Sequence, residues 1–288
     1  MNRRQLINPY GERLEALITE RGPLCVGIDP HPGMLASWGL PSDAKGLEQC
    51  ARGMIDALGS IVPAFKPQSA FFEAYGAAGI AVLEQTLADI KAAGALCILD
   101  VKRGDIGSTM DAYAAAYLSD GSPLAADAIT LSPYLGFATL DRAIELANQA
   151  GRGIYVLALT SNPEGPLIQH ARTADGRTVG QFIVDEAARR NAVRSQQATA
   201  LGPVGIVVGA TIGQTGTDFS ALNGSILSPG IGAQGGRAAD LPAVFREATR
   251  FVLPSSSREV MSAGPTSAAL QRAATQVLGE MKAALGLR

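Results

Sequence analysis

Eight short apolar runs divide the chain. They lie at 24–29 (LCVGID), 61–66 (IVPAFK), 95–102 (ALCILDVK), 127–132 (DAITLS), 153–159 (GIYVLAL), 204–209 (VGIVVG), 225–228 (SILS) and 250–255 (RFVLPS). Runs that are continuously apolar, rather than alternating, suit strands covered on both faces, as in a parallel sheet. The segments between them carry helical character. Two of these, 78–94 (AGIAVLEQTLADIKAAG) and 140–151 (LDRAIELANQAG), end at a glycine, a frequent helix stop. Strand and helix in alternation imply a parallel α/β sheet, open or closed. Eight units favour closure, and no GxGxxG follows the first strand to favour a dinucleotide-binding sheet. The fold expected is therefore a (β/α)8 TIM barrel occupying residues 1–288 as a single domain. It would carry an N-terminal helical extension and, from about Ser267, an Ala-rich C-terminal helix on its outside. The longest gap holds the polar stretch 161–180 (SNPEGPLIQHARTADGRTVG), which reads as a surface loop and a candidate lid.

Charge and residue usage narrow the function. A net charge of -2 offers no basic excess for nucleic acid, whose binding rests on Lys and Arg neutralising phosphates. A small anion needs only a few local positive groups. The N-terminus is polar, and no run of 18 apolar residues occurs, so neither a signal peptide nor a membrane span is expected and a cytoplasmic setting follows. Cys25, Cys50 and Cys97 have no CxxC spacing and read as small buried hydrophobes. The two histidines, His31 and His170, lie far apart in sequence, which argues against a His-based metal site or a Ser-His-Asp hydrolase.

Function in such barrels sits at the C-terminal ends of the strands. The charges closing the first three runs are Asp29, Lys66, and then Asp100 and Lys102 with Asp105 just beyond. Alternation along a strand puts Asp100 and Lys102 on one side, and both face the barrel mouth if Val101 faces the helices. Singly, such an Asp is commonly a helix cap and such a Lys a solvated rim residue. Together, Lys66 and Lys102 set against Asp100 and Asp105 form the pairing that charges near a core require.

A second site follows strands seven and eight. The segment 228–236 (SPGIGAQGG) contains Gly235, Gly236 and the amide Gln234, and Arg258 comes just after strand eight. A glycine-rich loop lets backbone N–H groups approach an anion, and the loops after strands seven and eight are where these barrels bind phosphate. The bland alternative is an ordinary turn beside a surface arginine. The residues alone thus point to a phosphate-bearing small molecule held over a charged cluster.

The segment 100–109 (DVKRGDIGST) resembles the D-x-K-x-x-D-I-x-x-T signature of the orotidine 5'-phosphate decarboxylase family. Further landmarks match in order: GIDPHP (27–32), FKPQSAFFEAYG (65–76), LSPYLG (131–136), LTSNPEG (159–165) and SPGIGAQGG (228–236). The likeness spans 24–265 and is nearest to a bacterial subgroup with longer chains. It implies decarboxylation of orotidine 5'-phosphate to uridine 5'-phosphate, in pyrimidine synthesis, with no cofactor and no metal. In that family pattern Asp100 stands by the substrate carboxylate and Lys102 protonates C6. Lys66 and Asp29 meet the ribose, and Ser161 meets the pyrimidine amide edge. Gln234 and Arg258 grip the phosphate, helped by the backbone of Gly235 and Gly236. Asp105 and Thr109, with Ile106, reach across a homodimer interface into the neighbouring site. The strand-eight segment SSSREV departs from smaller family members. Two rivals are a magnesium-dependent phosphosugar decarboxylase or epimerase of the same barrel superfamily, and a non-catalytic nucleotide-binding barrel. The first would place a cation against two ammonium groups; the second has no use for Asp100, Lys102 and Asp105 together.

Overall fold

A computed structural model describes residues 8–192, 201–232 and 235–287. Eight strands close a barrel in chain order: Cys25–Ile28 (β1), Ala64–Pro67 (β2), Leu96–Arg103 (β3), Ala128–Leu131 (β4), Gly153–Leu159 (β5), Gly202–Val208 (β6), Gly224–Pro229 (β7) and Val252–Ser256 (β8). Every pairing is parallel, and β1 meets β8 through Cys25↔Ser255 and Val26↔Ser256. Each strand coincides with one of the eight apolar runs. The described helices are Tyr10–Arg21 (α1), Pro32–Ser37 (α2), Ala44–Leu58 (α3), Ser69–Glu73 (α4), Gly76–Ala92 (α5), Gly107–Leu118 (α6), Asp141–Gln149 (α7), Gly165–Gln169 (α8), Val179–Ala192 (α9), Leu241–Phe245 (α10), Arg258–Met261 (α11) and Ser267–Leu285 (α12).

Side-chain alternation sorts the strands into two apolar layers. Cys25, Ala64, Leu96, Ile98, Ala128, Tyr155, Val207, Leu227 and Leu253 fill the barrel interior. Their strand neighbours Val26, Phe65, Cys97, Leu99 and Val101 pack outward against the helices. Val101 thus faces outward, which leaves Asp100 in register with Leu96 and Ile98, on the inside.

The N-terminal end of the barrel is closed by α1. Tyr10 and Leu14 join the interior layer, and the Tyr10 and Tyr155 hydroxyls lie 2.9 Å apart. The helix is further held by Arg13, whose guanidinium reaches Asp127 at 2.5 Å. On the outside, α12 buries Leu270, Ala274, Val277 and Met281. Gln271 of α12 also donates to the Ala57 carbonyl of α3 at 3.0 Å. All three cysteines are free and buried.

The stretch 161–180 departs from the loop expected. It contains α8, a bridge between Arg172 and Thr178, and the start of α9. Arg177 ties it down by pairing with both Asp175 and Asp185. Gly180 lies inside α9, where a Cβ would come within 2.7 Å of the Leu159 side chain, so it serves close packing rather than a turn.

Candidate active site

The inward positions at the mouth follow from the strand registers. On β1, inward Cys25 is followed by Gly27 and then Asp29 just past the strand. A Cβ at Gly27 would meet the Ser257 hydroxyl at 1.7 Å, so this glycine makes room for the segment after β8. On β2, inward Ala64 is followed by Lys66. On β3, Ile98 is followed by Asp100, and Lys102 lies beyond.

Four charges alternate across this mouth. Lys66 Nζ lies 3.3 Å from Asp100 and 4.0 Å from Asp29, and Lys102 Nζ lies 2.7 Å from both Asp100 oxygens. Lys66 and Asp100 are buried, whereas the Lys102 side chain is 46% exposed. Burial alone would favour neutral forms. At Asp100 it is overcome by the Lys66 and Lys102 ammonium groups, which hold the carboxyl well below its usual range. At Lys66 burial is overcome by Asp100 and Asp29, which hold the amine well above its own. Both groups are therefore charged at neutral pH. The Asp29 Oδ1 atom is buried with no hydrogen-bond partner among the described residues, an acceptor at the cavity wall.

Lys102 adopts φ 45°, the left-handed region, where a non-glycine residue costs roughly 1–2 kcal/mol. The β3–β4 register shifts between Leu99 and Arg103, and the Lys102 N–H leaves the ladder to donate to the Thr130 hydroxyl at 2.9 Å. Strain at one mouth residue, held by a neighbour's side chain, is a common mark of a working site.

A cavity of about 250 Å³ opens above these residues. Leu157, Val207 and Leu227 form an apolar floor, while Ser161 after β5 and Ser255, Ser257 and Arg258 at and after β8 complete the wall. Arg258 is exposed, and no ion pair engages it among the described residues. The arrangement fits a flat, partly apolar body with anionic groups at two ends.

The family model for orotidine 5'-phosphate decarboxylase / HUMPS matches residues 22–273. The chain belongs to this family. It is 57% identical over 276 residues to a Salinispora tropica protein named orotidine 5'-phosphate decarboxylase, covering 96% of this chain and 98% of that one. A Streptomyces coelicolor protein of the same name is 50% identical over 279 residues, with 97% and 99% covered. Among solved structures, a putative orotidine 5'-phosphate decarboxylase from Streptomyces avermitilis superposes with a TM-score of 0.94 at 51% identity, covering 99% of both chains.

Of the residues the family pattern singles out, the structure gathers Asp29, Lys66, Asp100, Lys102, Ser161 and Arg258 around one cavity. Others lie elsewhere. Asp105, Ile106 and Thr109 do not line it, and Asp105 accepts the N–H of Ile106 at 2.8 Å. Within one chain, then, the second carboxylate of the opposed pairs is Asp29 rather than Asp105. The turn at Gly104 is the reason: a Cβ there would lie 2.4 Å from the Ser132 carbonyl, and the chain leaves the mouth at that contact.

Gly235 and Gly236 are also outside the lining. Their N–H groups donate to the Gly232 and Gly230 carbonyls at 2.8 and 3.1 Å, closing the loop on itself. The loop reaches the cavity through Gly230 and Ile231 instead. Gln234 lies outside the described residues.

Two further residues join this cluster that the sequence pattern does not single out. The Gln68 amide and the Thr130 hydroxyl both donate to Asp100, at 2.9 and 2.7 Å. Thr130 could have been found, because it is a polar residue at an inward position of the AITL run. Gln68 could not, because it follows Pro67 at the end of β2, where alternation no longer fixes direction. Among the described residues no three His, Cys, Asp or Glu side chains converge as a cation cage.

Proposed function

We propose that this chain decarboxylates orotidine 5'-phosphate to uridine 5'-phosphate, a carboxy-lyase step of pyrimidine synthesis that uses its own side chains. The carrying observation is the alternating row Asp29, Lys66, Asp100 and Lys102 over an apolar floor, at the open end of a barrel whose other end is plugged. The pyrimidine would lie on Leu157, Val207 and Leu227, with its amide edge at Ser161 and its phosphate at Arg258. The ribose hydroxyls would supply the donor that Asp29 Oδ1 lacks.

In this pose the C6 carboxylate sits beside Asp100. The C6–carboxyl bond breaks, carbon dioxide leaves, and the electron pair stays on C6. Lys102 Nζ then gives C6 a proton and later recovers one from solvent. Two unit charges about 4 Å apart at an effective dielectric near 20 repel by roughly 4 kcal/mol. Fully relieved at the transition state, that is about three decades of rate. Ground-state repulsion is therefore one contributor, and the Lys102 ammonium, once turned to where negative charge develops, supplies the larger share. Binding energy from the remote phosphate offsets the unfavourable contact.

A homodimer belongs to the same reading. Ile106, Tyr134 and Leu135 are 61%, 80% and 50% exposed on the adjoining β3 and β4 loops, an apolar area that a second copy would cover. Asp105 and Thr109 share the Ile106 segment and would then enter the partner's site. A cytoplasmic setting suits the three free, buried thiols.

One assay series tests the reaction and the shared site. Native protein should bleach orotidylate absorbance, and Lys102→Ala should lose roughly ten-thousand-fold in kcat. Mixing Lys102→Ala with an inactive Asp105→Ala variant should restore part of the activity, because one hybrid site regains both residues. Full activity in Lys102→Ala would reject the mechanism, and absence of restoration would reject the shared site.

A further inference from the structure

Asp100 is held by more donors than its charge balance requires. Two are ammonium groups. The other two are neutral and come from opposite sides: Thr130 of β4 donates to Oδ1 at 2.7 Å, and Gln68 at the end of β2 donates to Oδ2 at 2.9 Å. Thr130 has a second bond, since its oxygen accepts the Lys102 N–H at 2.9 Å. That N–H belongs to the residue held at φ 45°. One hydroxyl, only 2% exposed at residue level, therefore ties the carboxylate to the backbone of the residue that carries the proton.

The need for such a tie follows from the reaction. Lys102 Nζ touches both Asp100 oxygens and must turn from them towards C6. A carboxylate held by lysines alone would follow the ammonium, or rotate away from the incoming substrate carboxylate and dissipate the repulsion unproductively. A neutral donor on each oxygen opposes that rotation without adding a positive charge, which would attract the substrate carboxylate and stabilise the ground state. We infer that Thr130 is a positioning residue for decarboxylation: with Gln68 as its counterpart it fixes Asp100 against the substrate carboxylate while Lys102 moves. This rests on the decarboxylase reading above.

The test begins with native protein and orotidylate. Absence of turnover there rejects the decarboxylase reading itself, and the clamp with it. Given native turnover, Thr130→Val keeps the side-chain shape and removes both hydrogen bonds. It should lower kcat by roughly 10- to 100-fold, the worth of a hydrogen bond to a charged group. The affinity for uridine 5'-phosphate, which has no carboxylate, should stay within about threefold of native, and KM for orotidylate should hold or fall, because a loosened Asp100 relieves repulsion in the bound substrate. Thr130→Ser restores the hydroxyl and should recover kcat to within about threefold. Gln68→Leu removes the other side of the clamp and should show the same loss in kcat with no rise in KM. Native kcat in Thr130→Val or in Gln68→Leu overturns the proposal. So does a loss that serine fails to restore, or one matched by an equal loss of uridine 5'-phosphate affinity, since either would mark a merely structural role.

Discussion

The two ends of the cavity are built differently. At the β1–β3 end the charges already pair with one another, though Asp29 Oδ1 still lacks a hydrogen-bond donor among the described residues: Asp100 accepts from four side chains, and buried Lys66 lies between two carboxylates. At the β7–β8 end, Arg258 is exposed without an ion pair among the described residues, and the neighbouring loop bonds to itself. At one end the Asp100 carboxylate is held before substrate arrives; the other completes its contacts only with an anion present. The contrast suits a reaction whose chemistry needs fixed charges and whose binding energy comes from a remote group.

The sharpest way to break the comparison is Asp100→Asn. Without its central anion, Lys66 keeps only Asp29 at 4.0 Å, and breaking a buried pair costs about 3–5 kcal/mol. We expect kcat to fall by roughly three decades, and the urea midpoint to drop with it. The variant should also change the acid response. Native Asp100 has a folded pKa below its unfolded value near 3.9, so its contribution is present above about pH 4 and is lost as pH falls towards the folded value. Lys66 has a folded pKa above its unfolded value near 10.4, so its contribution is present below about pH 10 and is lost as pH rises. Stability from this pair is thus flat across neutral pH. Acid titration of stability should lose one steep component in Asp100→Asn, and an unchanged acid limb would mean that Asp100 is not the ionised hub.

Arg258→Ala probes the other end and should behave in the opposite way. The exposed, unpaired guanidinium makes little difference to the free protein, so stability should move by no more than about 0.5 kcal/mol. The loss should appear with substrate: kcat/KM lower by roughly 100-fold, the value of a charge-assisted contact. Guanidinium ion in the assay should recover part of it. A variant with native kcat/KM would remove Arg258 from phosphate binding and leave the second end without its grip.

The same contrast explains what could be read from sequence. The barrel was legible because eight continuous apolar runs have few other ways to be buried. Asp100 and Lys102 were legible because strand alternation fixes their direction, even though the backbone at Lys102 leaves regular strand geometry. The place of Asp105 was not, since it depends on how Gly104 packs against Ser132. Nor was the state of the glycine loop, because glycine's freedom permits an open anion nest and a self-bonded turn equally well.

Gly235→Ala addresses that ambiguity and should have the smallest effect. Gly235 sits at φ 86°, and a Cβ built there meets no atom of the described residues within 4 Å. The substitution therefore adds backbone strain alone, about 1–2 kcal/mol. Its N–H is already committed to Gly232, so KM for orotidylate should change by less than about threefold if that bond persists with substrate bound. A KM raised as far as in Arg258→Ala would mean that the loop unfolds its internal bonds to meet the phosphate. The β7–β8 end would then bind through rearranged backbone, and its difference from the prebuilt end would be larger than the free structure displays.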